Sequence, residues 1–78
     1  MKLLVRNLAR TTTEHEIRDL FSAHGAVAEC TLVLNQDTGK SKGFAFVEMP
    51  DEAEAQAAIA SLNLTAVAKS KIRVKQAD

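Results

Sequence analysis

The apolar residues of the chain repeat with two different periods, and the order of those periods predicts the fold. Four stretches alternate with a period of two, which is typical of strands that bury one face; they cover residues 2–8, 27–34, 42–49 and 71–76. Two stretches have helical spacing, at residues 14–24 and from residue 51 to residue 63. This βαββαβ order predicts a ferredoxin-like α+β sandwich. Residues 1–78 would form one domain, with two helices on one face of a four-stranded antiparallel sheet.

Both predicted helices begin with a capping signal. Thr13 and Glu16 have the spacing of a capping box, in which each side chain accepts a hydrogen bond from the other residue's backbone amide. Asp51 is the predicted N-cap of the second helix, with Glu54 as its partner at the third position. Gly25 is predicted to end the first helix in a left-handed conformation.

The same periodicities predict which residues form the core. On the strands these are Leu3, Val5, Ala28, Cys30, Leu32, Gly43, Ala45, Val47, Met49, Ile72 and Val74. On the helices they are Ile17, Leu20, Phe21, His24, Ala55, Ala58, Ile59 and Leu62.

The third predicted strand has two aromatic residues on its polar side. Phe44 and Phe46 share a face with Lys42 and Glu48, whereas the residues between them are small or medium-sized and apolar. The chain has three Phe residues and no Trp or Tyr, so most of its aromatic surface lies here. A strand buried on both faces would also explain the two rings, but the two charged neighbours argue against it.

Two segments carry a family resemblance. Residues 42–49, Lys-Gly-Phe-Ala-Phe-Val-Glu-Met, resemble the ribonucleoprotein motif of the RNA-recognition-motif (RRM) family, with Met49 at the last aromatic position. Residues 3–8, Leu-Leu-Val-Arg-Asn-Leu, resemble the second signature of the family, with Leu4 where a base-stacking aromatic usually stands. The resemblance covers nearly the whole chain. Within the family, the chain resembles small single-domain bacterial members. Members commonly have glycine where Leu64 and Lys69 stand, so we expect a looser or differently turned connection at residues 64–69.

The resemblance implies binding of single-stranded RNA on the sheet face opposite the helices. Phe46 would be the central stacking ring, Phe44 would contact an adjacent base or sugar, and Lys42 would contact phosphate. The candidate RNA-binding residues are Phe44, Phe46, Leu4, Arg6, Lys42, Lys2, Arg73, Lys75 and Gln76. Because Leu4 cannot stack as a ring does, which costs about 1–3 kcal/mol, we expect affinity in the micromolar range. Single-stranded DNA is an alternative ligand.

The net charge is zero, which counts against a nucleic-acid binder. The charges are nevertheless segregated, because six cations cluster in the hairpin and the end of the chain: Lys40, Lys42, Lys69, Lys71, Arg73 and Lys75. Six acids lie in the predicted helices: Glu14, Glu16, Asp19, Asp51, Glu52 and Glu54. The main alternative is a protein-interaction module that uses the exposed apolar patch Leu4, Val33, Phe44 and Phe46, and self-association through the same patch is also left open.

Other function classes have little support. His15 and His24 lie on opposite sides of one helix and Cys30 is the single cysteine, so we expect no catalytic site, no metal and no cofactor. No run is long and apolar enough to span a membrane, and no small-molecule substrate is indicated. The predicted location is cytoplasmic, or nuclear if the domain comes from a longer eukaryotic protein. The preferred RNA sequence does not follow from these patterns.

Overall fold

A computed structural model, which describes residues 1–77, has the predicted βαββαβ order. The elements are β1 (Lys2–Arg6), α1 (Glu14–Ser22), β2 (Glu29–Leu34), β3 (Ser41–Glu48), α2 (Glu52–Leu62), β4 (Ala66–Val67), β5 (Ser70–Lys71) and β6 (Arg73–Gln76). β2, β3, β1 and β6 form an antiparallel sheet in that spatial order, and β4 pairs with β5 in a separate two-stranded ribbon. The predicted ferredoxin-like α+β fold is therefore confirmed.

The core lies between the two helices and one face of the four-stranded sheet. Its buried members are Leu3, Val5, Leu8, Ile17, Phe21, Cys30, Ala45, Val47, Met49, Ala55, Ala58, Leu62, Ile72 and Val74. Leu20, Leu32 and Ile59 pack against this cluster and are partly buried. Ala28 was predicted to point inward but is exposed, because β2 begins one residue later at Glu29.

The predicted capping box of α1 is confirmed. The Glu16 amide donates to the Thr13 hydroxyl at 3.2 Å, and the Thr13 amide donates to a Glu16 carboxylate oxygen at 3.0 Å. The hydrogen bond from the Thr13 backbone stabilises the charged carboxylate and lowers the pKa of Glu16. The start of α1 is thus determined by a contact within four residues.

Glu54 is the third-position partner of Asp51, as predicted, and its carboxylate has a second role that was not predicted. Asp51 caps α2 and accepts from the Glu54 amide at 3.0 Å, but the Glu54 carboxylate accepts from the Ala26 amide at 3.1 Å. Gly25 departs from the prediction, because its φ of +159° is far from the left-handed helical value and α1 already ends at Ser22. A Cβ at Gly25 would lie 2.6 Å from the Cβ of Glu54, so glycine is needed here for close packing against α2.

The connection at residues 64–69 is ordered by the β4–β5 ribbon. Ala68 and Lys69 form its two-residue turn with φ of 51° and 69°, and Leu64 has φ of 68°. These residues adopt the left-handed backbone that glycine would adopt without steric cost. Lys71 was predicted to lie in the last strand on the aromatic side, but it pairs with Ala66 in the ribbon, outside the four-stranded sheet.

Candidate nucleic-acid interface

The sheet face opposite the helices, here called the open face, is built around Phe46. Antiparallel register places Leu4 of β1 and Thr31 of β2 directly opposite Phe46 on its two sides, and Lys75 of β6 opposite Leu4. Directly opposed residues share a face, so these four side chains form one row across the whole sheet. The row brings one hydroxyl, one aromatic, one aliphatic and one cationic side chain together from four strands.

The two aromatic rings contact each other. The centroids of Phe44 and Phe46 are 6.1 Å apart and the rings are nearly perpendicular, at 88°. Both side chains are half-buried, so each has accessible surface. The Nζ atom of Lys2 lies 5.2 Å from the centroid of the Phe46 ring, in a cation–π contact.

A bulge in β3 positions the first ring. Between the pairs Leu32–Ala45 and Leu34–Ser41, β2 advances two residues whereas β3 advances four. Gly43 lies in this bulge with φ of +86°, and its carbonyl accepts from the Leu8 amide at 2.9 Å. The sequence pattern assigned Gly43 to the core as a small residue. The structure gives another reason for glycine at this position, because a residue with a side chain would be strained at this positive φ.

Two arginines lie opposite each other at one end of the open face. Arg6 of β1 pairs with Arg73 of β6, and with Asn7 they line a groove of about 390 Å³. The Asn7 side chain donates to the Lys71 carbonyl at 2.7 Å and so fixes the end of β1. Within residues 1–77, neither arginine nor Lys75 makes an ion pair. This end therefore combines unneutralised cations with a concave surface, which suits an anion.

The other end of the open face is acidic. Glu29 of β2 lies directly opposite Glu48 of β3, and Glu48 lies opposite Lys2 of β1. With Thr31 and Phe46 these three residues line an open depression of about 520 Å³. Glu29 was not among the RNA-binding residues predicted from the sequence, although its place two residues before Thr31 puts it on the same side of the strand.

The remaining candidate residues lie at the margins of the open face. Lys42 is exposed in the bulged part of β3. Gln76 pairs with Leu3, whose side chain is buried, so the register assigns Gln76 to the helix side of the sheet. Met49, at the third aromatic position of the motif, is fully buried and belongs to the core.

Comparison with known proteins identifies the family of the chain. The family model for the RNA recognition motif matches residues 3–73. The chain belongs to the RNA-recognition-motif family. This RRM is 38% identical to Glycine-rich RNA-binding protein 1 of Mycosarcoma maydis over 77 residues, which are 99% of this chain and 44% of that protein. It is 35% identical to the putative RNA-binding protein RbpD of a Nostoc species, over 99% of this chain and 82% of that protein.

A solved structure with a bound nucleic acid also has this fold. The structure, described as a Sxl-lethal protein/RNA complex, superimposes with a TM-score of 0.94 at 34% identity, over 99% of this chain and 46% of that one. The RRM spans less than half the length of several curated relatives that it matches, between 22% and 44%. The activities of those longer proteins are therefore not assigned to this chain.

Metal binding, membrane insertion and thiol reactivity are other possibilities to consider in residues 1–77. No group of three His, Cys, Asp or Glu side chains there could hold a metal ion. No helix in the same range is long and apolar enough to cross a membrane. Cys30 is buried, and this burial raises the pKa of its thiol, an effect that the nearby Glu14 strengthens.

Proposed function

We propose that this RRM binds single-stranded RNA on its open face, with bases stacked on Phe46 and Phe44. The observation that carries the proposal is the pair of accessible rings on the sheet face that no helix covers, with Phe46 in the same row as the cation Lys75. The RNA-binding names of relatives and the RNA-bound neighbour support the same ligand. Unpaired RNA suits this surface because its bases can be splayed out and reached from the π face.

Base stacking on Phe46 requires the ammonium of Lys2 to move aside. A cation–π contact at an exposed site contributes about 0.5–1 kcal/mol. Stacking of a base on an aromatic side chain contributes about 1–3 kcal/mol. A base therefore displaces Lys2 with a net gain, and the freed ammonium can contact a phosphate or a base edge.

Phosphate contacts would come from the cations around the rings. Arg6, Arg73 and Lys75 carry charge that no carboxylate within residues 1–77 neutralises, although the whole chain has no net charge. Lys42 lies two residues before Phe44 on β3 and is exposed. Gln76 lies at the end of β6 on the helix side of the sheet, so it would contact RNA at the sheet margin and not on the open face.

Affinity is expected to be moderate. Two rings are available, and Leu4 offers apolar cover beside Phe46 without a π face. Relative to a domain with a third ring, the loss of about 1–3 kcal/mol weakens binding about five- to a hundredfold. We therefore propose a micromolar dissociation constant for the isolated domain.

The double substitution Phe44→Ala, Phe46→Ala tests this proposal. Fluorescence anisotropy with a labelled single-stranded RNA should show a loss of at least tenfold in affinity, since about 1–3 kcal/mol is lost per ring. Circular dichroism should show an intact fold, because both rings are only half-buried. The matched control is Leu34→Ala, which removes exposed apolar surface at the edge strand and should leave binding unchanged.

Undiminished RNA binding by the double variant would refute the open-face proposal. A DNA oligomer of the same sequence, measured in parallel, decides whether single-stranded DNA competes. If the wild-type domain binds no RNA but self-associates or captures a protein through Phe44 and Phe46, the interaction-module alternative holds instead. Cytoplasmic location stays a prediction, to be checked by imaging a tagged protein in its own cell.

A further inference from the structure

We infer that the acidic end of the open face selects guanine at the position stacked on Phe46 and discriminates against uracil. The inference rests on the proposed function and adds a base preference to it. It assigns roles to Glu48 and Glu29 as base-reading acceptors and to Lys2 as the donor beside them. These three residues line the open depression of about 520 Å³ together with Phe46 and Thr31.

Three adjacent strands supply the reading groups in one row. The register places Glu29, Glu48 and Lys2 side by side on β2, β3 and β1. Thr31 lies two residues after Glu29 and Phe46 two residues before Glu48, and the two form part of the neighbouring row. A base stacked on Phe46 would therefore turn one edge toward two carboxylates and an ammonium.

The fold itself does not account for the acidic pair. Like charges directly opposite each other on a sheet are destabilising. Glu48 has one ion pair within residues 1–77, with the ammonium of Met1 at 3.8 Å, and Glu29 has none. The pair carries a stability cost that a ligand with several N–H donors would offset.

Guanine matches this arrangement better than the other three bases. Its Watson–Crick edge presents one acceptor, O6, next to two adjacent donors, N1–H and the N2 amino group. An ionised carboxylate only accepts hydrogen bonds and can take both donors, while an ammonium only donates and can serve O6. Uracil presents two acceptors around a single donor, so its carbonyl oxygens would face carboxylates. Cytosine and adenine each offer one amino group beside a ring nitrogen acceptor.

The test uses labelled heptamers that differ only in the central nucleotide, in a background of uridines. Anisotropy titrations should show about tenfold tighter binding for guanosine than for uridine, as expected for a bidentate base contact. Inosine, which lacks the N2 amino group, should lose most of that preference. 7-Deazaguanosine, which lacks only the N7 acceptor, should bind as guanosine does.

The matched variants are Glu29→Gln with Glu48→Gln, and Glu52→Gln as the control. The double variant should bind the guanosine and uridine heptamers within about twofold of each other, with uridine binding not weakened. Glu52 is an exposed acid at the start of α2, so its substitution should keep the full preference.

The outcomes separate this inference from the proposed function. Equal affinity of the wild type for the four central bases, with binding lost in the Phe44→Ala, Phe46→Ala variant, would refute the guanine preference alone. A preference that survives in the double glutamate variant, or that depends on N7 rather than on N2, would also overturn it. Failure of the wild type to bind any of the heptamers would refute RNA binding itself.

Discussion

The apolar side chains on the two faces of β3 differ in size and in exposure to solvent. Ala45 and Val47 are fully buried against the helices, whereas Phe44 and Phe46, which are larger, remain half-exposed on the face that no helix covers. Burying an aromatic side chain contributes about 1.5–3 kcal/mol to stability, so folding alone would favour the opposite arrangement. Stability explains the core face, and the proposed RNA binding would explain the open face, so substitutions on the two faces should have separable effects.

The largest effect should follow truncation on the core face. Met49→Ala removes a fully buried side chain and should lower the free energy of unfolding by about 2–5 kcal/mol. A domain of this size has on the order of 5–10 kcal/mol in total, so the variant loses a large share of its stability. Urea denaturation followed by circular dichroism measures the change. A loss no larger than that of Phe46→Ala would contradict the distinction between the two faces.

On the open face, the paired arginines should affect binding without supporting the fold. The variant Arg6→Gln, Arg73→Gln should weaken RNA binding about tenfold and reduce the slope of log K against log salt by about 1.4, because each phosphate contact contributes about 0.7. Its free energy of unfolding should not fall, since two directly opposed like charges are removed.

The control for the arginine pair is Arg18→Gln on α1, which removes one positive charge, half of what the pair loses, from the helix side of the molecule. It should leave both the affinity at fixed salt and the salt slope close to wild type. A slope reduction in Arg18→Gln of half or more of that in the double variant would mean that overall charge, rather than the open face, determines binding.

The smallest effect should come from the turn of the β4–β5 ribbon, which belongs to neither face. Lys69→Gly relieves a positive φ of 69° and should raise the free energy of unfolding by about 1 kcal/mol, or about 4–8 °C in melting temperature. RNA affinity should not change. Gly39→Ala makes the reverse change, because it forces alanine to a φ of 71°. It should lower the free energy of unfolding by a similar amount. A thermal melt that shows no shift for Lys69→Gly would contradict the strain argument.

Much of the fold was predictable because its signals are local. The alternation in residues 42–49 identified Ala45, Val47 and Met49 as core residues, and the Thr13–Glu16 spacing identified the start of α1. Side-chain periodicity follows directly from strand and helix geometry, and a capping box closes within four residues. The motif in residues 42–49 likewise indicated the family before any tertiary contact was known.

The details that define the candidate site depended on contacts between distant residues. The bulge that gives Gly43 its positive φ appears only when β2 and β3 are paired. The opposition of Glu29 and Glu48, and the placement of Gln76 on the helix side, are consequences of strand register. Register joins residues far apart in sequence and leaves no periodic trace along the chain. The sequence by itself therefore determined the element order, the buried face and the aromatic pair, whereas tertiary structure decided which charges surround those rings.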